Sequence, residues 1–208
     1  MASPGDDRDR VLPGSFIHSA RREQLVRSAI AVIAELGAER ASVVRIARHA
    51  GVSRGVVAYH FRDLADLHGA VVREVYRLGG EQLHKPVAEA ATPREALLTF
   101  VADSVDFYTE FPEHIAALSE IFAAARRARD STEQHQHEAD NVVTMLRAGQ
   151  AAGQFRAFDA SVMARIVRGV LDSAIAALGD NTIDVALLRA ELVTAVDAMT
   201  AADTNPST

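Results

Sequence analysis

Ser42, Arg45, Ser53, Arg54, Tyr59 and His60 all fall in the stretch SVVRIARHAGVSRGVVAYHF, residues 42–61. Hydroxyls, guanidiniums, a phenol and an imidazole are the donors that hold phosphate oxygens and base edges. The chain has a single lysine, Lys85, so nearly every cationic contact falls to arginine, which bridges a phosphate or a guanine edge with two parallel hydrogen bonds. Catalytic chemistry is not indicated. No Ser, His and acid sit in a nucleophile-elbow context, no glycine-rich loop follows a strand, and without cysteine there is no thiol nucleophile, thiolate metal site or disulfide.

To act together, these side chains need two short helices that cross closely. The spacing predicts a first helix over residues 43–50 that exposes Arg45, Arg48 and His49 and turns Val44, Ile46 and Ala47 inward. Gly51 ends it, because glycine accepts the left-handed backbone of a helix C-terminus, and Val52 plugs the corner. Ser53 is the N-cap of a second helix over residues 54–60. Ala47, Gly51 and Val57 are the small and aliphatic positions that allow close crossing. An amphipathic helix over residues 21–36, with Leu25, Ala29, Val32, Ile33 and Leu36 on one face and Gly37 as its stop, precedes the pair.

From residue 21 to about 67 the chain resembles the TetR family of bacterial transcriptional regulators: a helix ending in ELGAERASV, then IARHAGVSRGVVAYHF, then the start of a longer helix. The resemblance implies that the early, outward part of the second short helix, with Ser53, Arg54, Val56 and Tyr59, enters the major groove of double-stranded DNA. Arg54 then reads a base edge or holds a phosphate. Val56 meets a thymine methyl, whereas Val57 faces the core. Tyr59 and His60 are similar to the family's aromatic-histidine pair, which reaches phosphates or bases; the alternative for His60 is a solvated histidine at a helix end. Ser42 and Arg45 stand where a helix start holds another phosphate, and Arg22 does the same from the preceding helix. One position departs from the family: a phosphate-binding lysine often opens the next helix, and Leu64 stands there, with Arg62 as the candidate replacement.

Charge supports the same division. The net charge of −6 over 208 residues looks wrong for a DNA-binding protein, yet residues 20–68 carry eight arginines against five acids, while residues 69–208 carry twelve basic residues against twenty acids. The basic surplus sits with the helix pair, where phosphate contacts supply sequence-independent affinity. Length allows a small reading domain and one larger domain. No run of about eighteen apolar residues exists and MASPGDDRDR has no signal core, so a cytoplasmic protein without membrane contact is expected.

Beyond Phe61 the pattern is helical throughout. Asp63 caps a helix over about 64–83, and Thr92-Pro93-Arg94-Glu95 opens one to about 111. Others are expected over 112–127, 132–152, 160–178 and 184–201. The domains implied are a disordered arm over 1–20, the reading domain over 21–66, a helical effector-binding and dimerisation domain over 67–202, and a disordered tail over 203–208. Together they make an all-α fold of about nine helices, an N-terminal three-helix helix-turn-helix domain followed by a helical bundle.

The last two helices are apolar on more than one face. Val162, Ile166 and Val170 form one stripe, and Met163, Val167, Leu171, Ala174 and Leu178 a second, while Val185, Leu188, Leu192, Val196 and Met199 repeat along the final helix. One face serves the bundle, and the other is expected to seal against a second copy of the chain. The stripe assigned to the dimer interface is Met163, Val167, Leu171, Ala174, Leu188, Leu192 and Val196, and the resemblance points to the same homodimer. Two reading helices about one turn apart then recognise a palindromic operator.

Phe107, Tyr108, Phe111, His114, Leu118, Phe122 and Met145 give the central helices an apolar lining with a few polar atoms. The resemblance implies a small organic effector there, with Tyr108 and His114 orienting it. His135, His137, Glu138 and Asp140 invite a metal, but histidines two apart point to different sides of a helix, so the run is taken as a solvated turn and no metal or cofactor is assigned. The reading is a dimeric regulator, a repressor released from its operator by an organic effector. Its competitors are a regulator without an effector and a helical protein-interaction module.

Overall fold

The computed structural model describes residues 13–128, 133–179 and 183–202, and these are helical nearly throughout. Among them the order is α1 (Pro13–Leu36), α2 (Val43–His49), α3 (Arg54–His60), α4 (Leu64–Glu89), α5 (Pro93–Glu110), α6 (Pro112–Ala128), α7 (Glu133–Ala151), α8 (Ala160–Leu178) and α9 (Val185–Thr200). The expected tail, and the arm as far as residue 12, lie outside the described residues.

Helix α1 starts at Pro13, eight residues before the expected start, so residues 13–20 of the expected disordered arm are helical. Proline suits the first helical position because its missing N–H would have no partner there. At the other end Gly37 takes φ +81° and donates its N–H to the Ile33 carbonyl at 2.8 Å.

The corner between α2 and α3 is built from local chemistry. Gly51 has φ +67°, and a Cβ there would meet nothing within 4 Å, so the backbone angle alone calls for glycine. Ser42 accepts from the Arg45 N–H and Ser53 from the Val56 N–H, each at 3.4 Å, and Val52 donates back to the Ala47 carbonyl at 2.9 Å. Ile46, Ala47 and Val57 are buried. Val44 is not: it is 45% exposed, because a helix of two turns has only one face to bury, and Ile46 and Ala47 hold it.

Helix α4 has 26 residues, about 39 Å of rise, and carries the chain from the reading domain into the bundle. Its Leu67, Val71 and Val75 are buried in a core that α1, α2 and α3 share with Ile115, Leu118, Ile121 and Phe122 of α6. The reading domain therefore packs directly on the bundle. At that junction Glu120 of α6 accepts the Ala38 N–H at 3.4 Å.

A second core joins α5, α7, α8 and α9. It contains Met163, Val167, Leu171, Ala174, Leu192 and Val196, with Leu188 packed at its margin. This corrects the expected dimer stripe: all of those residues except half-buried Leu188 lie inside the chain's own bundle and have almost no surface to offer. Sequence periodicity finds both stripes of α8 but cannot say which one faces α5.

Phe155 closes this core over Gly149, where a Cβ would stand 2.1 Å from the ring. Gly149→Ala is expected to expel the ring, at a cost of about 1–3 kcal/mol, and to lower the melting temperature. An unchanged thermal melt would show that Phe155 does not hold this position.

Candidate nucleic-acid interface and central cavity

Three helices set the donors on one face. Arg45, Ser53, Arg54 and Arg62 are exposed and Tyr59 is 76% exposed, while Ser42, Val56, His60 and Arg22 are half-buried. The Arg22 guanidinium lies over the Phe61 ring at 4.8 Å, which fixes its stem while its N–H groups remain available. Leu64 is half-buried against the first core and serves packing. Arg62 donates its backbone N–H to Asp66 at 3.2 Å and pairs with it through Nε at 3.6 Å, which holds the Asp66 carboxyl below the usual range. That pair is exposed on the arginine side and yields readily to a phosphate.

One residue on this face escaped sequence reasoning. His18 stands 4.4 Å from His60 and 5.7 Å from Tyr59, ring centroid to ring centroid, and Tyr59 meets His60 edge-on at 5.2 Å. Its signal was the continuation of α1 past residue 21, obscured by the charged and proline-bearing composition before it. Gln24 was also missed; its amide donates to the Ala50 carbonyl at 2.9 Å and ties α1 to the end of α2.

His60 Nδ1 is buried without a hydrogen-bond partner, so its outward nitrogen is the one free to donate. Burial lowers its pKa, helped by His18, Arg21 and Arg22 nearby. Burial also lowers His68, whose Nε2 is buried and unpaired, and His114, where Glu74 and Glu113 oppose the effect. The unfolded chain therefore takes up protons first. The stability these groups confer is fully present above the ordinary histidine value of 6.5 and is lost as pH falls from there through the lowered folded values. His68→Leu is expected to shrink the loss of melting temperature between pH 7.5 and 5.5; an equal loss in both proteins would assign the loss to other groups.

A cavity of about 710 Å³ opens among α4, α5, α6, α7 and α8. Of the expected effector residues, Phe107, Tyr108, Leu118 and Met145 line it. Phe111, His114 and Phe122 do not. Phe111 fills the α5–α6 corner between Phe107 at 5.1 Å and His114 at 5.5 Å, and Phe122 is buried near Tyr76 in the first core. Polar lining residues that composition did not single out are Arg73, His84, Ser104, Asn141, Thr144 and Arg168. Tyr76, Gly80, Leu83 and Val87 recur at helical spacing along α4, a signal that counting aromatic residues passes over. The side chains of His135, His137, Glu138 and Asp140 lie outside the described residues.

A short capped helix carrying exposed arginine and tyrosine, crossed on a second helix and braced by a third, defines a helix-turn-helix protein, here joined to a helical bundle with a cavity. Residues 25–71 match the family model of bacterial regulatory proteins of the tetR family. The HTH-type transcriptional regulator BetI of Proteus mirabilis (strain HI4320) is 42% identical over 69 residues, 33% of this chain and 34% of that protein. BetI of Stenotrophomonas maltophilia (strain R551-3) is 35% identical over 96 residues, 46% of this chain and 49% of that protein. The matches thus span between a third and a half of these relatives.

Among solved structures, a putative TetR-family transcriptional regulator from Rhodococcus sp. superposes with TM-score 0.71 at 20% identity, covering 86% of this chain and 98% of that one. The ketosteroid transcriptional regulator KstR2 of Mycobacterium tuberculosis gives 0.65 at 20% identity, covering 88% and 96%. Residues 25–71 thus carry the helix-turn-helix region of the tetR family, and the described residues share the fold of these solved structures. Among the described residues no helix is long and apolar enough to cross a membrane.

Proposed function

We propose that the chain is a dimeric transcriptional repressor that holds a palindromic operator and releases it when a small organic effector enters the central cavity. The observation that carries the reading is the common face formed by Arg45, Ser53, Arg54 and Tyr59, all exposed, on helices whose cores are buried. With arginine in surplus over residues 20–68, that face offers both phosphate and base-edge donors.

Dimerisation rests on a different stripe from the one expected. Val162 is 56% exposed, Ile166 43% and Leu187 61%, on the outer sides of α8 and α9. A two-fold axis through these helices buries the same patch from each copy.

Coupling runs through α4. Arg73, Val75, Tyr76 and Gly79 line the cavity, and the same helix begins four residues after the reading helix ends. A ligand that fits one tilt of α4 better than another shifts operator affinity by its differential affinity for the two states.

Fluorescence anisotropy of the purified protein on DNA upstream of its own gene, across a salt series, tests the reading. Tight binding to one palindromic segment, weakening as salt rises, is expected. Affinity equal to that for random DNA, both there and on sequences selected from a random pool, would defeat it.

A further inference from the structure

We propose that His18 is a DNA-contacting residue: with His60 and Tyr59 it forms a seat for one backbone phosphate, and filling that seat takes up a proton. The inference rests on the DNA-binding reading above and adds to it a residue of α1 and a dependence on pH.

Three rings from two helices build the seat. His18 of α1 lies 4.4 Å from His60 and 5.7 Å from Tyr59, and Tyr59 meets His60 at 5.2 Å, centroid to centroid. His18 is exposed and Tyr59 is 76% exposed, so the cluster opens to solvent at the C-terminal end of the reading helix α3. Imidazole N–H and phenol O–H groups donate to phosphate oxygens, and a protonated imidazole does so with charge.

The surroundings select an anion. His18, Arg21 and Arg22 of α1 are the groups whose charges act on His60, and no carboxylate is among them. Arg22 lies over the Phe61 ring, and Arg21 donates to the Gln24 side chain at 2.6 Å. On α2, which packs on α3, the charged and titratable residues Arg45, Arg48 and His49 are exposed. The next acids along the chain are engaged elsewhere: Asp63 accepts the Asp66 N–H at 2.7 Å, and Asp66 pairs with Arg62. A metal cation, the other ligand that paired imidazoles suggest, would face two arginines and find no group of three ligating side chains among the described residues.

The proton follows from this crowding. Two imidazolium rings in contact repel, and burial together with the neighbouring positive charges already holds His60 below its ordinary value in the free protein. A phosphate oxygen against the pair supplies the missing counter-charge and raises that value in the complex. DNA binding therefore takes up a proton. Affinity rises as pH falls through the value in the complex and levels off below that of the free protein.

A phosphate seat needs no particular sequence, so anisotropy with a short random-sequence duplex at low salt, at pH 8 and pH 6, tests it. Affinity is expected to rise between the two by about tenfold more in the unsubstituted chain than in H18Q or H60Q. Glutamine still donates hydrogen bonds but takes up no proton, so both variants should keep most of their affinity at pH 8, which also shows that they fold. Calorimetry near pH 7 in two buffers of different ionisation enthalpy should count proton uptake in the unsubstituted chain and less in either variant.

An equal rise in H18Q, or no rise in the unsubstituted chain, overturns the seat, while tight operator binding at pH 8 keeps the DNA-binding reading standing. Failure to bind either the random duplex or the upstream DNA at any pH overturns both.

Discussion

Replacing Ile166 with glutamate is expected to convert the proposed dimer to a monomer in analytical ultracentrifugation and to cut affinity for the proposed operator about a hundredfold or more. Ile166 and Val162 form the exposed stripe of α8, one turn apart, with exposed Leu187 on neighbouring α9. In a two-fold interface each glutamate is buried against the partner's apolar patch, and an uncompensated buried charge costs about 3–5 kcal/mol.

The protomer itself should keep its helix content, because the side chain points away from its own cores. Met163→Glu is the contrasting variant. Three residues before Ile166, it places the charge inside the core of α5, α7, α8 and α9 and should unfold the chain. A persistent Ile166→Glu dimer would move the interface elsewhere.

Arg54→Ala should weaken operator binding by about 1–3 kcal/mol for each half-site and relax selectivity at one base position in each. Arg54 is exposed at the first position of α3, just after the Ser53 cap that fixes the helix start. Arg62→Ala is the comparison. Arg62 sits past the end of α3 and shares its charge with Asp66, so its loss should lower affinity for all sequences alike and flatten the salt dependence. Equal, sequence-independent losses in both variants would reduce Arg54 to a phosphate contact.

The parts of the fold written in the sequence are those that depend on neighbours along the chain. Gly51 and Gly37 mark left-handed stops, and Ser42, Ser53, Asp63, Thr92, Asp159 and Asp184 each cap the helix that follows, because capping is settled within about four residues. The helix pair and its donors were legible for the same reason. His18 was not, since its value lies in meeting Tyr59 and His60 some forty residues on, and nothing local announces it.

By itself, then, the sequence determined the helices and most of their caps, though neither the start of α1 nor the end of α4, because hydrogen bonding and turn geometry are short-ranged. Only the tertiary structure decided between the two apolar stripes of α8, since burial depends on which helices lie opposite: α5, α7 and α9 take Met163, Val167 and Leu171 into the core and leave Val162 and Ile166 outside. It also decided the cavity. Aromatic composition pointed to Phe111, His114 and Phe122, but packing spent them on the α5–α6 corner and the first core, and brought Arg73 and Arg168 from distant helices to one space.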